Sequence, residues 1–238
     1  NAQNDDFIQL VTAATQAPSG HNSQPWLFEI GTNEITILPN FSRKLPAVDP
    51  NYREFFMSLG CALENLCIKA SSLGYATQVN ISQEGIIKVG LQKSEAVRAN
   101  LLSEYITKRQ TNRSVYDGKP IPEAVLKNLL KDFNSDKVSI QIFDKNTEAF
   151  SQLTDAVMQG NTIQMNDPAF KFELLSWIRF NKKHSESTND GLSYAVLGAP
   201  NLPRWVTEPI VKGSLNAKTQ NKTDHKKILS SSDMVLIT

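Results

Sequence analysis

Apolar residues recur along the first half of the chain with the periods of helices. Phe7, Leu10, Val11 and Ala14 lie at i, i+3, i+4 and i+7, which predicts a helix over residues 6–16 with Asp5 and Asp6 as caps. A wider apolar face predicts one long central helix over residues 51–74, on which the apolar positions are Phe55, Leu59, Leu63, Leu66, Ala70 and Leu73. Residues 95–108 are also predicted to be helical.

Alternating and β-branched runs predict strands between these helices. Residues 26–30 and 34–38 are expected to form one hairpin, and residues 78–81 and 86–91 a second. Further along, a helix is predicted to start at Pro122, a residue favoured in the first turn, and to bury Val125, Leu126, Leu129 and Leu130. Residues 138–143 and 233–238 are predicted strands, the second of them in the core.

Residues 167–222 have a different pattern. A helix opens at Asp167 and Pro168, and a polar, glycine- and proline-containing connection follows over residues 182–203. A connection of this length without clear structure is often a lid or a binding loop. Its aromatic residues, Trp177 and Trp205, could line a ligand or could simply pack this segment onto the body of the protein, and the sequence leaves both readings open.

Composition and charge exclude several classes of protein. The 238 residues contain 25 Lys and Arg against 24 Asp and Glu, so no charge excess indicates nucleic acid or an anionic membrane as a partner. No stretch reaches the roughly 20 apolar residues of a membrane helix. Cys61 and Cys67 lie six apart on one predicted helix, which does not suit a disulfide. His184 and His225 have no Cys or acidic residue at metal-ligand spacing, so no metal site is expected.

A cytoplasmic location is the expectation, because the cysteines provide no disulfide framework. The first residues are too polar for a leader peptide, but the chain begins with Asn1 rather than Met. Export after removal of a leader therefore stays open as the alternative.

The loop at residues 17–26, which reads APSGHNSQPW, contains the most informative chemistry of the chain. It lies between the first predicted helix and the first predicted strand. Pro, Ser, Gly and Asn each suit a turn, so a plain connection would explain them. Gly20 also opens the backbone beside several donors and acceptors, with Trp26 close behind. A flat, partly polar and partly aromatic ligand would suit this combination equally well.

The same loop resembles the APSxxNxQPW signature of the FMN-dependent nitroreductase family, in which it lies against the flavin ring. Two further segments are similar to that family. Residues 49–54, DPNYRE, lead into SLGCALENL at 58–66, which resembles the family's long central helix. Residues 109–113, RQTNR, followed by Tyr116, resemble its Arg-x-Ser/Thr-x-Arg phosphate motif.

The order of these motifs resembles the single-chain, Acg-like branch, which is understood to be a pseudo-dimer. In ordinary nitroreductases the phosphate motif precedes the ring loop, whereas here it follows. The resemblance therefore implies two tandem halves, residues 1–105 with the ring loop and residues 106–238 with the phosphate motif. Residues 134–137 stand where a second ring loop would be expected. The second half lacks a second central helix, so it is expected to be truncated.

The resemblance implies an α+β, nitroreductase-like fold, with a mostly antiparallel sheet wrapped by helices. FMN would be bound by Pro18 against the ring, by Ser19, Gly20 and Asn22 at its polar edge, and by phosphate contacts. His21 could contact the flavin or only stabilise the turn. The expected phosphate ligands are Arg109, Thr111 and Arg113, with the two arginines on one face of a helical turn.

The implied activity is that of an NAD(P)H oxidoreductase in which FMN transfers hydride from NADPH or NADH to a nitroaromatic, quinone or similar small acceptor. No side chain is expected to act as a catalytic acid or base. The chain would be a monomeric pseudo-dimer or a homodimer, and residues 167–222 would form a lid over the flavin. Two alternatives stay open: a flavin-sequestering protein without turnover, and a scaffold that no longer binds flavin.

Overall fold

The structure, a computed structural model, describes residues 2–131 and 135–238. Its helices within these ranges are α1 (Ala2–Ala14), α2 (Arg53–Ser72), α3 (Glu123–Leu130), α4 (Glu148–Asn166), α5 (Pro168–Trp177), α6 (Lys182–Thr188), α7 (Arg204–Ser214) and α8 (Ala217–Ser230). Its strands are β1 (Trp26–Ile30), β2 (Glu34–Pro39), β3 (Tyr75–Ile81), β4 (Ile87–Lys93), β5 (Ile140–Asp144), β6 (Ile178–Arg179), β7 (Leu192–Ser193) and β8 (Asp233–Ile237). This mixture is compatible with the expected α+β, nitroreductase-like fold.

The chain divides into two compact units. The first consists of the residues up to Thr111 together with Glu173–Leu202, and the second of Asn112–Phe172 together with Pro203–Thr238. The predicted division into tandem halves at residues 105 and 106 stays a prediction. Asn134, the first residue of the segment where a second ring loop was expected, lies outside the described residues.

An antiparallel four-stranded sheet in the order β1-β2-β4-β3 forms the centre of the first unit. Both predicted hairpins are confirmed, and β2 and β4 join them through pairs such as Ile35 with Val89. α1 and α2 pack with this sheet. Their apolar residues form one core with those of the strands, in which Leu10, Leu59 and Leu66 are completely buried. Burial of such side chains contributes about 1.5–3 kcal/mol each.

The two long helices of the first unit begin in different ways. α1 begins at Ala2, so Asp5 and Asp6 lie inside it, and their predicted role as caps is wrong. Asp6 instead accepts a hydrogen bond of 2.9 Å from the Tyr75 hydroxyl and pairs with Lys93 at 3.2 Å. α2 confirms the predicted central helix. It follows Tyr52, whose φ of 57° turns the chain sharply at its start.

In the second unit, helices α4 and α8 contact each other and strands β5 and β8 pair. α4 and α8 are joined by polar contacts: Asn161 donates to Asp224 at 3.0 Å, and Asn221 donates to Thr162 at 2.9 Å. β5 and β8 pair in antiparallel register. The strand predicted at 233–238 is therefore confirmed, but its place in the core is not, because Val235 and Ile237 are more than half exposed.

Two predictions in the middle of the chain are wrong. Residues 95–108 contain only a 3-10 turn, Leu101–Tyr105, because the side chains of Ser94 and Asn100 accept from the backbone N–H groups of Ala96 and Leu102. Such bonds compete with helical ones. The helix predicted at Pro122 is present as α3, but its apolar residues are not buried: Leu129 is 69% exposed.

The connection over residues 182–203, which was predicted to lack clear structure, begins with helix α6 and contains the short strand β7. Helices α7 and α8 follow it. Asn181 and Asn216 cap α6 and α8, since their side chains accept from the N–H groups of His184 and Thr219 at 2.9 Å each. Asparagine at this position stabilises a helix by about 1 kcal/mol, and this signal is present in the sequence.

Candidate functional site

The ring loop, which we define as residues 17–26, has an unusual backbone. His21, Asn22 and Gln24 have φ values of 49°, 53° and 53°, in the left-handed region that favours glycine. Each such residue costs roughly 1 kcal/mol or more, somewhat less for Asn. Backbone strain of this kind persists only where the surroundings hold it, and it is concentrated at functional sites.

Hydrogen bonds within the loop stabilise part of this conformation. The backbone N–H groups of Asn22 and Ser23 donate to the carbonyl oxygens of Ser19 and Gly20, both at 2.9 Å. The Ser19 hydroxyl accepts from the Gln24 N–H at 2.9 Å. The N–H of Gly20 points to the Ser58 hydroxyl on α2 at 3.4 Å, a long bond. The loop is thus tied to itself and, more weakly, to the central helix.

A second segment, Asn189 to Gly191, holds the loop from outside. Asn22 makes two bonds of 3.1 Å to Gly191, one from its side-chain amide to the Gly191 carbonyl and one from the Gly191 N–H to its own carbonyl. The Gln24 amide donates to the Asn189 carbonyl at 2.8 Å. Two of the three residues with positive φ are therefore fixed by this segment.

Asp190 lies in the middle of that segment, between two arginines. Its Oδ1 accepts from Arg179 at 2.6 and 3.0 Å, and its Oδ2 accepts from Arg43 at 2.9 Å. The same nitrogen of Arg43 donates to the Ser23 carbonyl of the ring loop at 2.7 Å. Burial opposes ionisation of Asp190, but the bonds from Arg179 and Arg43 outweigh it and hold its pKa below the ordinary value. The carboxylate is therefore charged at neutral pH.

A small cavity lies behind Gly20, lined among others by Arg43, Asp49, Glu54 and Ser58. Its volume is about 10 Å³, close to the minimum for one water molecule. Burial raises the pKa of Glu54, and the nearby Asp49 carboxylate raises it further. A flavin ring does not fit there, so a ligand of the ring loop would have to lie on its outer surface.

The loop residues that are predicted to bind FMN differ in how far they are exposed on that surface. Pro18 and Asn22 are exposed, whereas Ser19, Gly20 and His21 are half-buried. Trp26 is buried in the core of the first unit and cannot stack on a ligand in this arrangement. The exposed Pro18 suits the flat face of a flavin ring, and the polar groups around it suit the polar edge. Several of those polar groups, however, already bond within the protein.

Of the predicted phosphate ligands, Arg109 lies beside the start of the ring loop. Its guanidinium group donates to the carbonyl of Gln16, the residue before the loop, at 3.2 Å. The prediction that a helical turn places Arg109 and Arg113 on one face is wrong, because residues 109–113 have no regular structure. The Asn112 side chain accepts from the Ser114 N–H, and such a local bond competes with helix formation. Thr111 and Arg113 are exposed, and Arg113 belongs to the second unit.

The two tryptophans of the predicted lid region belong to different units. In the first unit, the Arg179 guanidinium lies over the Trp177 ring at 5.6 Å. In the second, Trp205 is 80% exposed. The lid stays a prediction, although Asn189 to Gly191, which lie within its range, do contact the ring loop.

Sequence reasoning missed Arg43 and Arg179, and placed Asp190 and Gly191 only in a loop. No local pattern marks Arg43 as a partner of Asp190, which lies 147 positions away. The Asn-Asp-Gly run at 189–191 was a detectable turn signal, and Asn189 and Gly191 both have positive φ.

Within residues 2–131 and 135–238, no group of His, Cys, Asp and Glu could hold a metal ion, and no helix is long and apolar enough to cross a membrane. Cys61 and Cys67 are free thiols, and burial raises the pKa of both. The expected absences of a metal and of a membrane partner stay predictions.

Comparison with known proteins yields distant relatives from Mycobacterium tuberculosis. The chain is 29% identical over 119 residues to "Putative NAD(P)H nitroreductase Rv3131", a match that covers 48% of this chain and 35% of the relative. It is 25% identical over 180 residues to "Putative NAD(P)H nitroreductase acg", covering 73% and 54%. These names support the nitroreductase resemblance. No protein-family model matches the chain.

A third relative has no activity in its name. The chain is 26% identical over 181 residues to "Uncharacterized protein Rv3127", covering 70% of this chain and 51% of the relative. In all three comparisons the matched part spans about half of the relative's length or less. The activity, substrates and partners of this protein therefore do not follow from these names and are matters for proposal.

Proposed function

We propose that this protein binds FMN on the outer surface of the ring loop and acts as an NAD(P)H oxidoreductase of the nitroreductase type. The observation that carries the proposal is the strained backbone at His21, Asn22 and Gln24, which lies in the segment that resembles the family's flavin loop. The names of the distant relatives agree with it.

The residues of the first unit would hold FMN in defined roles. Pro18 is exposed and would pack on the ring, while Ser19, Gly20 and Asn22 would face its polar edge. Arg109 is exposed beside the start of the loop, and with Thr111 it would bind the phosphate. A charge-assisted bond of this kind contributes about 1.5–3 kcal/mol. Arg113 stays a predicted phosphate ligand, and His21 stays a predicted residue of the flavin site.

FMN, when bound, supplies the redox chemistry, by accepting a hydride from NADPH or NADH and passing electrons to the acceptor. The protein positions the flavin and provides no side chain as an essential acid or base. Nitroaromatics and quinones are the acceptor classes proposed here. A cytoplasmic location and a monomeric pseudo-dimer or a homodimer belong to the same proposal.

A flavin-sequestering protein without turnover is the second candidate. The bonds between the ring loop and Asn189 to Gly191 favour it, because they place part of the predicted lid directly on the loop. A covered flavin would be held tightly and would exchange electrons slowly.

Oxidation of NADPH, followed by its absorbance with FMN and a nitroaromatic or quinone present, separates the two candidates. Steady turnover that requires both FMN and the acceptor is the expected result. The same assay with Arg109→Ala should show an FMN requirement shifted to about 10- to 100-fold higher concentration, which corresponds to the loss of one such bond. Arg98→Ala, another exposed arginine of the first unit, is the matched control and should leave it unchanged. Tight FMN binding without turnover would support sequestration instead.

A further inference from the structure

The ring loop and residues 189–191 are far apart in the sequence but form one bonded assembly. Asn22 and Gly191, which exchange two hydrogen bonds, are separated by 169 positions. The bonds within the loop, and the one from Gly20 to Ser58 on α2, leave the side chains of Asn22 and Gln24 to be fixed by residues 189–191. Its conformation therefore depends on where residues 189–191 lie.

Asp190 determines where this segment lies, because both of its carboxylate oxygens are bonded. Arg179 is anchored in turn, since its Nη1 donates to the Ser176 carbonyl at 2.8 Å. The side chains of Arg179 and Asp190 are only 8% and 12% exposed, so water competes little for these bonds. On the other side, Arg43 joins Asp190 to the Ser23 carbonyl. A continuous chain of bonds thus runs from Arg179 through Asp190 and Arg43 into the loop.

The absence of a side chain at residue 191 makes this arrangement possible. Gly191 has a φ of +74°, and a Cβ there would lie 2.7 Å from Cζ and 2.8 Å from Nε of Arg179. The guanidinium group that holds Asp190 therefore occupies space that any other residue at 191 would fill.

We propose that Asp190 is a positioning residue of the flavin site. Through Arg43 and through the neighbouring Asn189 and Gly191, it holds the ring loop in its strained conformation, and it thereby sets the affinity for FMN without touching the flavin. This inference rests on the proposed function for its ligand, but the loop's conformation can be tested without FMN.

Asp190→Asn keeps the size of the side chain and removes its charge. Hydrogen exchange of the apoprotein should then be at least 10-fold faster at the loop amides of Asn22, Ser23 and Gln24, whereas amides of the β2–β4 pair should exchange as in the wild type. A role in general stability alone would accelerate exchange at both places. Glu208→Gln is the matched control, because Glu208 also lies between two cations, Arg204 and Lys212. Glu208→Gln should change the exchange rates neither of the loop amides nor of the β2–β4 pair.

The second readout is the dissociation constant of FMN, measured by quenching of flavin fluorescence. It should rise about 10- to 100-fold in Asp190→Asn and in Arg43→Ala, and the double variant should be no worse than the weaker-binding single one, because both residues belong to one chain of bonds. Arg43 is 35% exposed, so its variant provides the test if Asp190→Asn does not fold.

The outcomes separate this inference from the proposed function. Unchanged loop exchange in Asp190→Asn and Arg43→Ala overturns the positioning role, whether or not FMN binds. Faster loop exchange with unchanged FMN affinity overturns the link to the flavin site. If the wild type binds no FMN, the proposed function fails and the exchange measurement alone decides whether Asp190 positions the loop.

Discussion

Gly191 is a position of the candidate site at which there is no room for a side chain. Its φ of +74° favours glycine, and an added Cβ would collide with the carbonyl oxygen of Trp177 as well as with the Arg179 guanidinium. A backbone carbonyl within a packed segment cannot turn away as the end of a flexible side chain can. Gly60 on α2 presents the opposite case, since a Cβ there would meet nothing within 4 Å.

Gly191→Ala should therefore lower the free energy of unfolding by more than about 2 kcal/mol, the sum of the left-handed penalty and the collision. Gly60→Ala should raise it by about 0.5–1 kcal/mol, because alanine favours the helix. Urea unfolding followed by circular dichroism measures both. Equal stability of the two variants would contradict the packing described around Gly191.

At the scale of elements, the start of α2 connects the core with the candidate site. The Asp49 carboxylate, which is buried, accepts from the Phe55 N–H at 2.8 Å and so satisfies one of the first donors of the helix. Glu54 is in the first turn, where a negative charge is normally favoured by the helix dipole. Burial and Asp49 nevertheless raise its pKa, so its charge opposes folding at neutral pH.

Glu54→Gln tests this balance. A raised pKa in the folded state means that stability is greatest below the unfolded pKa of about 4.3 and falls as the pH rises through the folded value. The variant, which has no such charge, should melt at a higher temperature than the wild type at pH 7–8 and at the same temperature near pH 4. Glu84→Gln is the control of opposite sign, because a hydrogen bond from Ser82 lowers the pKa of Glu84. A gain for Glu54→Gln that does not depend on pH would contradict the account.

Elements with strong periodic patterns could be predicted from the sequence, and others could not. Both hairpins and α2 follow their patterns because their residues pack in one local core. α4 was missed although Thr147 is a helix cap whose side chain accepts from the Phe150 N–H. The opposite error at residues 95–108 arose because Ser94 and Asn100 divert backbone bonds, an effect that apolar spacing does not reveal.

On the scale of the whole molecule, the candidate site depends on residues that are brought together only by the fold. The ring loop was recognisable from ten consecutive residues, yet Arg43, Arg179 and Asp190 were not, because their partners lie elsewhere in the chain. Within the first unit the loop, Arg109 and Asp190 belong to one compact body. The tandem halves and a lid over the flavin stay predictions.

Binding of FMN by the ring loop can be measured from the visible absorbance of the purified protein before and after denaturation. We expect the bands of an oxidised flavin and release of about one FMN per chain, either as purified or after incubation with FMN. A protein that stays colourless after incubation with FMN would contradict both the oxidoreductase and the sequestration proposals.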